Sequence, residues 1–446
     1  MPARGAIVVA SVTSTGNFVR RSMTNPHTSV IIHTPVFATS PVPSSHRNAR
    51  LRKGASSSLT GPRNSTRSAA VNSQQILSSL DHVEKCHVAY RPADFPTPYL
   101  AVDRDVLDSN IANMAMLARE RGLLLRPHAK THKCREIALR QLESGAAGLT
   151  VATVSEAEVF VAGGVTDVFI AYPLWVDRQR GDRLSSLMER CLLRVGVDSV
   201  EAARVLAANT DRRAGLEVLI EVDSGHHRTG VIPEMAAEVA LAAVDAGLEV
   251  RGVFTFPGHS YGPGRASTAS TDEATALSRA AATLLSAGVD ATVVSGGSTP
   301  TAALTQSTTL TEMRPGSYVF NDAQQLEMGS CDLEHVALTV VATVVSRAPG
   351  RVVLDAGSKV LGADRPAWIT GFGRLFDHPQ ACLSELSEHH ATVLWPELMP
   401  PPELGTAVRV VPNHVCSAVN LADELVVEVG GKVVDCWRVV ARGANH

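Results

Sequence analysis

The sequence predicts an α/β fold: a (β/α)8 barrel followed by a C-terminal, mostly antiparallel β domain. Three observations lead there. Eight short apolar runs, most of them separated by one helix-like segment, follow one another over roughly 220 residues, the extent of eight β/α units. After about residue 335 the helical spacing stops and β-rich runs take over. The polar motifs fall just after the apolar runs, where a barrel keeps its active face.

Residues 1–80 come first. The first acidic residue is Asp81, and the stretch before it holds eight arginines and Lys53. This acid-free, Ser/Thr/Arg-rich segment has no helical or alternating periodicity and is expected to be disordered. It reads as a transit peptide, since those are Arg- and Ser-rich and poor in acids. It reads equally as upstream sequence from a misplaced start, with Met23 or a later codon the true one. Residues 81–102 are expected to bring a strand at 99–102 into the β domain.

Residues 103–330 are the expected barrel. Asp103 or Asp105 caps a helix whose apolar positions Val106, Leu107, Ile111, Met114 and Leu117 fall at helical spacing. The strands are 123–126, 148–151, 168–171, 192–197, 216–222, 250–256, 291–294 and 310–314. Helical patterns such as 134–142 and 233–246 separate them. No G-x-G-x-x-G follows the first strand, which disfavours a doubly wound open sheet. Residues 331–446 are the expected β domain. Its strands are 336–345, 351–354, 406–411, 424–429 and 432–437, the last two joined by a Gly430-Gly431 hairpin.

Composition narrows the function classes. A hydrophobic content of 45% fills a sizeable core, and a net charge of −3 gives no basic footprint for nucleic acid. No apolar run approaches the roughly 20 residues that span a bilayer. The seven cysteines are scattered, odd in number and form no CxxC pair, which fits a reduced, cytoplasmic setting. Organellar import through the basic extension is the alternative.

The chemistry begins at Lys130, in Arg126-Pro-His-Ala-Lys-Thr-His-Lys133 after strand one. A lysine at a strand mouth between His128 and His132 suits a Schiff base, although the octapeptide alone fits a surface lysine better. The loops after strands seven and eight carry Ser298, Gly316 and Ser317. Barrels frequently bind phosphate there, because backbone N–H groups and hydroxyls converge and glycine permits close approach. A lysine facing a phosphate cup points to pyridoxal phosphate, which needs both.

These residues also carry a resemblance. Arg126 to Lys133, Asp223 to Gly230, Ser295 to Thr301, Arg314 to Asp322, Asp355 to Lys359 and Pro412 to Cys416 resemble the fold-type III pyridoxal-phosphate enzymes. The branch is that of eukaryotic-type D-serine dehydratase and D-threonine aldolase. The resemblance implies an alanine-racemase-like barrel, a C-terminal β domain and a homodimer. It also implies a metal on His414 and Cys416, which on spacing alone fit a buried cysteine and a hydrogen-bonded histidine better. If they lie on a strand, residues i and i+2 face the same way. One nitrogen and one sulfur favour Zn2+, with Mn2+ as the alternative. The aldolases of this branch more often carry an acid in the second position, so Cys416 tilts the reading toward dehydration.

Weaker candidates complete the site. Arg228 suits the cofactor's phenolic oxygen, the substrate carboxylate or a surface ion pair. Tyr172 is expected against the cofactor or in the core, and His259 and Tyr261 beside the phosphate or substrate. Lys133 competes with Lys130 as the Schiff-base lysine. Three functions stay open: a D-3-hydroxy-amino-acid dehydratase, a D-threonine-type aldolase and a cofactor-binding homeostasis protein without turnover.

Overall fold

Strand β1, Tyr99–Asp103, does not enter the barrel. It pairs antiparallel with Leu338–Ala348 and parallel with Glu424–Val429, inside the large C-terminal sheet. The computed structural model describes residues 95–446 apart from 212–214 and 306–307. The expectations for residues 1–80 and 81–94 lie outside the described residues.

The helix Arg104–Glu120 starts at Asp103, whose carboxylate accepts the amides of Asp105 and Val106. That choice satisfies the open N–H groups of the first turn. Eight parallel strands follow: β2 (Leu124–Leu125), β3 (Leu149–Val151), β4 (Asp167–Pro173), β5 (Leu192–Val197), β6 (Glu217–Glu221), β7 (Glu249–Phe254), β8 (Val293–Gly296) and β9 (Glu312–Met313). The sheet runs β2-β9-β8-β7-β6-β5-β4-β3. It closes where the amide of Ala147 donates to Leu125 O and His128 bridges Thr150 in parallel. All eight expected strands are present. Among the described residues between β8 and β9 there are turns and no helix.

The barrel interior is layered. Charged side chains cluster near the strands' N-terminal ends, where Arg126 Nε meets Glu312 at 2.6 Å and Arg126 also pairs with Asp167 at 2.7 Å. Arg194 joins Asp167 and Glu217 to this layer. Above it sits a small apolar cluster of Phe169, Leu219 and Phe254. Arg314 lies over both Phe169 and Phe254, with its guanidinium carbon 5.4 and 5.2 Å from their ring centroids. Helices such as Val154–Ala162 and Ala236–Asp245 bury their apolar faces against the outside of the strands.

The C-terminal half is a nine-stranded, mostly antiparallel sheet with its own core. Gly430 and Gly431 both adopt positive φ, 54° and 74°, which the tight hairpin between Glu424–Val429 and Lys432–Arg438 requires. Three further strands, Gly373–Leu375, Leu383–Leu386 and Ala391–Leu394, add to those expected from sequence. Among the described residues, no helix is long and apolar enough to cross a membrane.

Candidate active site

Strand ends bring the loops together at the C-terminal face of the barrel. His128, Lys130 and Thr131 follow β2, His226 follows β6, and Phe256, Gly258 and Tyr261 follow β7. Gly297 and Ser298 follow β8, while Arg314, Gly316 and Ser317 follow β9. With Gln324, His414 and Cys416 they enclose a cavity of about 280 Å³. None of the described residues lining it is an Asp or Glu. A larger groove, about 700 Å³, lies on the β domain near Trp395 and Arg347 but gathers no comparable set of reactive groups. Size does not select the site; converging chemistry does.

Lys130 sits in a single 3₁₀ turn, Ala129–Thr131, which His128 caps by accepting the Lys130 amide at 3.4 Å. Burial lowers the pKa of its amine, with Arg228 and Arg314 adding to the effect. Its Nζ lies 5.5 Å from the Phe256 ring centroid, and the Arg228 guanidinium lies 5.3 Å from the same ring. Lys133 is committed elsewhere. Its ammonium holds Glu156 at 3.3 Å, Asn420 at 2.7 Å and Asn445 at 2.8 Å, and its backbone is fixed at φ 48°.

The loops after β8 and β9, the second of which packs against the lysine's own turn, bring hydroxyls and an arginine to the cavity. Gly316 permits close approach, because a Cβ there would meet Thr131 Oγ1 at 2.8 Å. The buried Ser317 Oγ has no partner with hydrogen-bond geometry, although it lies beside the Tyr261 hydroxyl. Burial pushes that phenol up, so Tyr261 keeps its proton. Ser298 Oγ is 3.0 Å from Ser260 Oγ and 3.0 Å from Thr301 Oγ1. Burial lowers Arg314 to about 10, and its Nε is also without a partner. Unpaired buried polar atoms are costly, so these are natural contacts for a ligand.

His414 and Cys416 reach the cavity by a route other than the one expected. They are not alternate residues of a strand. His414 is the N-cap of the helix Val415–Leu421 and Cys416 lies in its first turn. The strand before them ends at Pro412, so the i, i+2 alternation does not apply. The cap geometry still brings imidazole and thiol close enough to shift each other's ionisation, and both line the cavity. His414 Nδ1 is 3.2 Å from Asp322 Oδ2, which also accepts the Val415 amide at 3.1 Å. Burial opposes the charged form of Cys416, yet His414 and Lys130 outweigh it and lower the thiol pKa. Burial likewise opposes charge on His414, and Cys416 with Asp322 outweighs it and raises its pKa. An imidazole held on one nitrogen by a buried carboxylate, beside an ionisable thiol, is a donor pair suited to a soft divalent ion.

Three candidates stand apart from the cavity lining, and one of them is Arg228, an exposed side chain whose guanidinium lies over the Phe256 ring. Tyr172 is 49% exposed at the end of β4, and His259 turns toward Asp272, with Nε2 3.3 Å from its carboxylate. Sequence reasoning did not single out Arg314, His226, Phe256 or Asp322. Their positions after strand ends were a usable signal for the first three. Nothing local marked Asp322, which meets His414 from 92 residues away.

Comparison with known proteins follows the same division of the chain. Residues 102–324 match the family model of the alanine racemase N-terminal domain, and residues 337–428 match a serine dehydratase domain. A D-threo-3-hydroxyaspartate dehydratase of Delftia sp. is 34% identical over 346 residues, 72% of this chain and 91% of that protein. A D-threonine aldolase of Arthrobacter sp. is 34% identical over 362 residues, 78% of this chain and 93% of that one. Among solved structures, a cysteine-to-alanine variant of D-threo-3-hydroxyaspartate dehydratase in its metal-free form has a TM-score of 0.72. It is 31% identical, with coverage of 78% of this chain and 98% of that one.

Proposed function

The chain belongs to the D-serine dehydratase and D-threonine aldolase family of fold-type III pyridoxal-phosphate enzymes, and from this premise we propose that it dehydrates a D-3-hydroxy amino acid to a 2-oxo acid and ammonia. Its relatives are dehydratases and aldolases, so it is a pyridoxal-phosphate-dependent lyase acting on D-hydroxy amino acids. One observation carries the choice of dehydration: His414 is paired with a thiol, Cys416, rather than with a carboxylate.

The residues present fit the cofactor. Lys130 would take the aldehyde, and Ser298, Gly316, Ser317 and Tyr261 the phosphate. The unpartnered Ser317 Oγ and the absent Cβ of Gly316 support that placement. When bound, pyridoxal phosphate supplies an electron sink for charge developing at Cα. Burial favours the neutral amine of Lys130, the form that accepts a proton from Cα. Arg314 in the cavity lining, and Arg228 over the Phe256 ring at its edge, would supply positive charge for the substrate carboxylate and the phenolic oxygen. Phe256 and Tyr261 wall the cavity against water.

The donor set also fits a metal. His414 and Cys416 would hold it, and nitrogen with sulfur favours zinc over the harder manganese. A divalent ion supplies a Lewis acid for the β-hydroxyl. Asp322 orients the imidazole through Nδ1, leaving Nε2 free as a ligand atom. The family supports a homodimer, and the free cysteines support a reduced, cytoplasmic setting.

D-Serine, D-threonine and D-threo-3-hydroxyaspartate, each offered with and without chelator, test the reading. Ammonia and a 2-oxo acid are expected, with turnover lost in chelator. Glycine and an aldehyde would instead establish the aldolase reading, which the 34% identical aldolase keeps open. A bound cofactor without turnover of any D-hydroxy amino acid would favour the homeostasis protein.

A further inference from the structure

Behind the loop after β8 lies an acid that the reaction above does not use. Glu273, on the helix Ala266–Ser286, is 1% exposed. Its Oε1 accepts the Gly297 amide at 2.6 Å. Gly297 lines the active-site cavity, whereas Glu273 lines a separate small cavity of about 180 Å³ with Thr305 and Leu310. The carboxyl therefore grips the loop from the far side. Gly296 has no room for a Cβ because Glu273 Oε1 occupies that space, and Gly297 takes the left-handed φ of 79°. The next amide, Ser298 N, is held by Thr301 Oγ1 at 2.9 Å. Both peptide N–H groups are thus anchored to the protein, which fixes Ser298 Oγ in the cavity wall.

We propose that Glu273 is a positioning residue for the cofactor's phosphate, and that the loop receives the dianion best when this carboxyl is neutral. The inference rests on the pyridoxal-phosphate reading. A buried negative charge directly behind an anion cup repels the anion, and the low-dielectric surroundings screen it poorly. A neutral carboxyl keeps an acceptor oxygen for Gly297 without that repulsion. The setting already leans this way: burial raises Glu273 to about 7, against the opposing effects of the Gly297 amide and of Arg314. Arg314, from the end of β9, is the charged group that acts on it among the described residues.

The sign follows from linkage. A dianion that raises the Glu273 pKa further binds with uptake of a proton, so affinity is full below about pH 7 and falls as pH rises through that range. A shift of about one unit makes the phosphate bind about tenfold more tightly at pH 6 than at pH 8.5. The cofactor's own ionisations are shared by every variant and cancel in the comparison.

The test is the pH dependence of pyridoxal phosphate affinity, read from the absorbance of the lysine-bound cofactor as the apoprotein is titrated. Glu273→Gln keeps the acceptor and cannot ionise. It is expected to bind about tenfold more tightly than wild type at pH 8.5, equally at pH 6, with a flatter slope. Pyridoxal, which lacks the phosphate, should give the same slope with both proteins. Glu273→Ala leaves the Gly297 amide unpaired and is expected to bind pyridoxal phosphate more weakly at every pH. Parallel slopes for wild type and Glu273→Gln, or a slope change with pyridoxal as well, overturn the proposal alone. Wild type that forms no lysine-bound cofactor overturns the cofactor reading and this proposal with it.

Discussion

The Sγ atom of Cys416 lies 3.4 Å from Oγ1 of Thr131, the residue next to Lys130. One contact thus joins the barrel loop of Lys130, proposed to take the cofactor, to the end of the helix at His414 and Cys416, proposed to hold a metal. The two functions meet in space but use different side chains, so they should separate by mutation. Cys416→Ala is expected to lose bound metal and at least about 100-fold in turnover, since losing only an outer-shell partner of a metal site already costs about 10–100-fold. The absorbance of the lysine-bound cofactor should persist. Elemental analysis after dialysis reads the first outcome and the visible spectrum the second; retained metal in Cys416→Ala would defeat the assignment.

Lys130 faces the complementary test. Its buried amine adjoins the cavity, whereas Lys133 is tied to Glu156, Asn420 and Asn445. Lys130→Ala should abolish the lysine-bound absorbance while metal content stays at the wild-type level. A band that survives Lys130→Ala and disappears in Lys133→Ala would move the Schiff base three residues along.

Below the cavity, the charged layer of the barrel sets a stability prediction. Arg126 and Glu312 are each 2% exposed and 2.6 Å apart, and Arg126 also pairs with Asp167. Arg126→Met removes the cation and strands a buried carboxylate. Breaking a buried pair by removing one partner costs about 3–5 kcal/mol. Urea unfolding at pH 7 measures it, and a loss under about 1 kcal/mol would mean that Glu312 finds relief, for example by taking up a proton.

How far the sequence carried this picture differs from element to element. The barrel strands were legible because each apolar run ends in a polar loop and helices separate most of them. The strands Gly373–Leu375, Leu383–Leu386 and Ala391–Leu394 were not. Three or four residues hold too little alternation, and pairing such as that of Ala391–Leu394 with Arg351–Leu354 is a long-range property. Within the site, Lys130 and the glycine-serine loops stood out by position after a strand. Arg314 did not, because an arginine at a loop start looks solvated until Phe169 and Phe254 are folded beneath it. His414 and Cys416 are legible through resemblance but not through strand alternation, because a helix cap brings them together.

Acid sensitivity follows from His132, which is fully buried two residues after Lys130. Its Nδ1 lies 3.0 Å from the Cys134 carbonyl oxygen and 3.1 Å from the Cys134 amide, and its Nε2 lies 3.2 Å from Gln141 Oε1. The two oxygen acceptors favour the charged ring, but burial outweighs them. It lowers the pKa to about 4, from 6.5 in the unfolded chain. A depressed folded-state value means that the unfolded state binds the proton first. Stability is therefore full above about pH 6.5 and is lost as pH falls toward 4. At pH 4.5 this one group accounts for about 2.5 kcal/mol of the loss. His132→Gln cannot take up that proton. It is expected to be less stable than wild type at pH 7, with the gap narrowing by about 2.5 kcal/mol at pH 4.5. Urea titrations of both proteins at the two pH values measure the change, and a gap that stays constant would show that His132 is not held neutral by the fold.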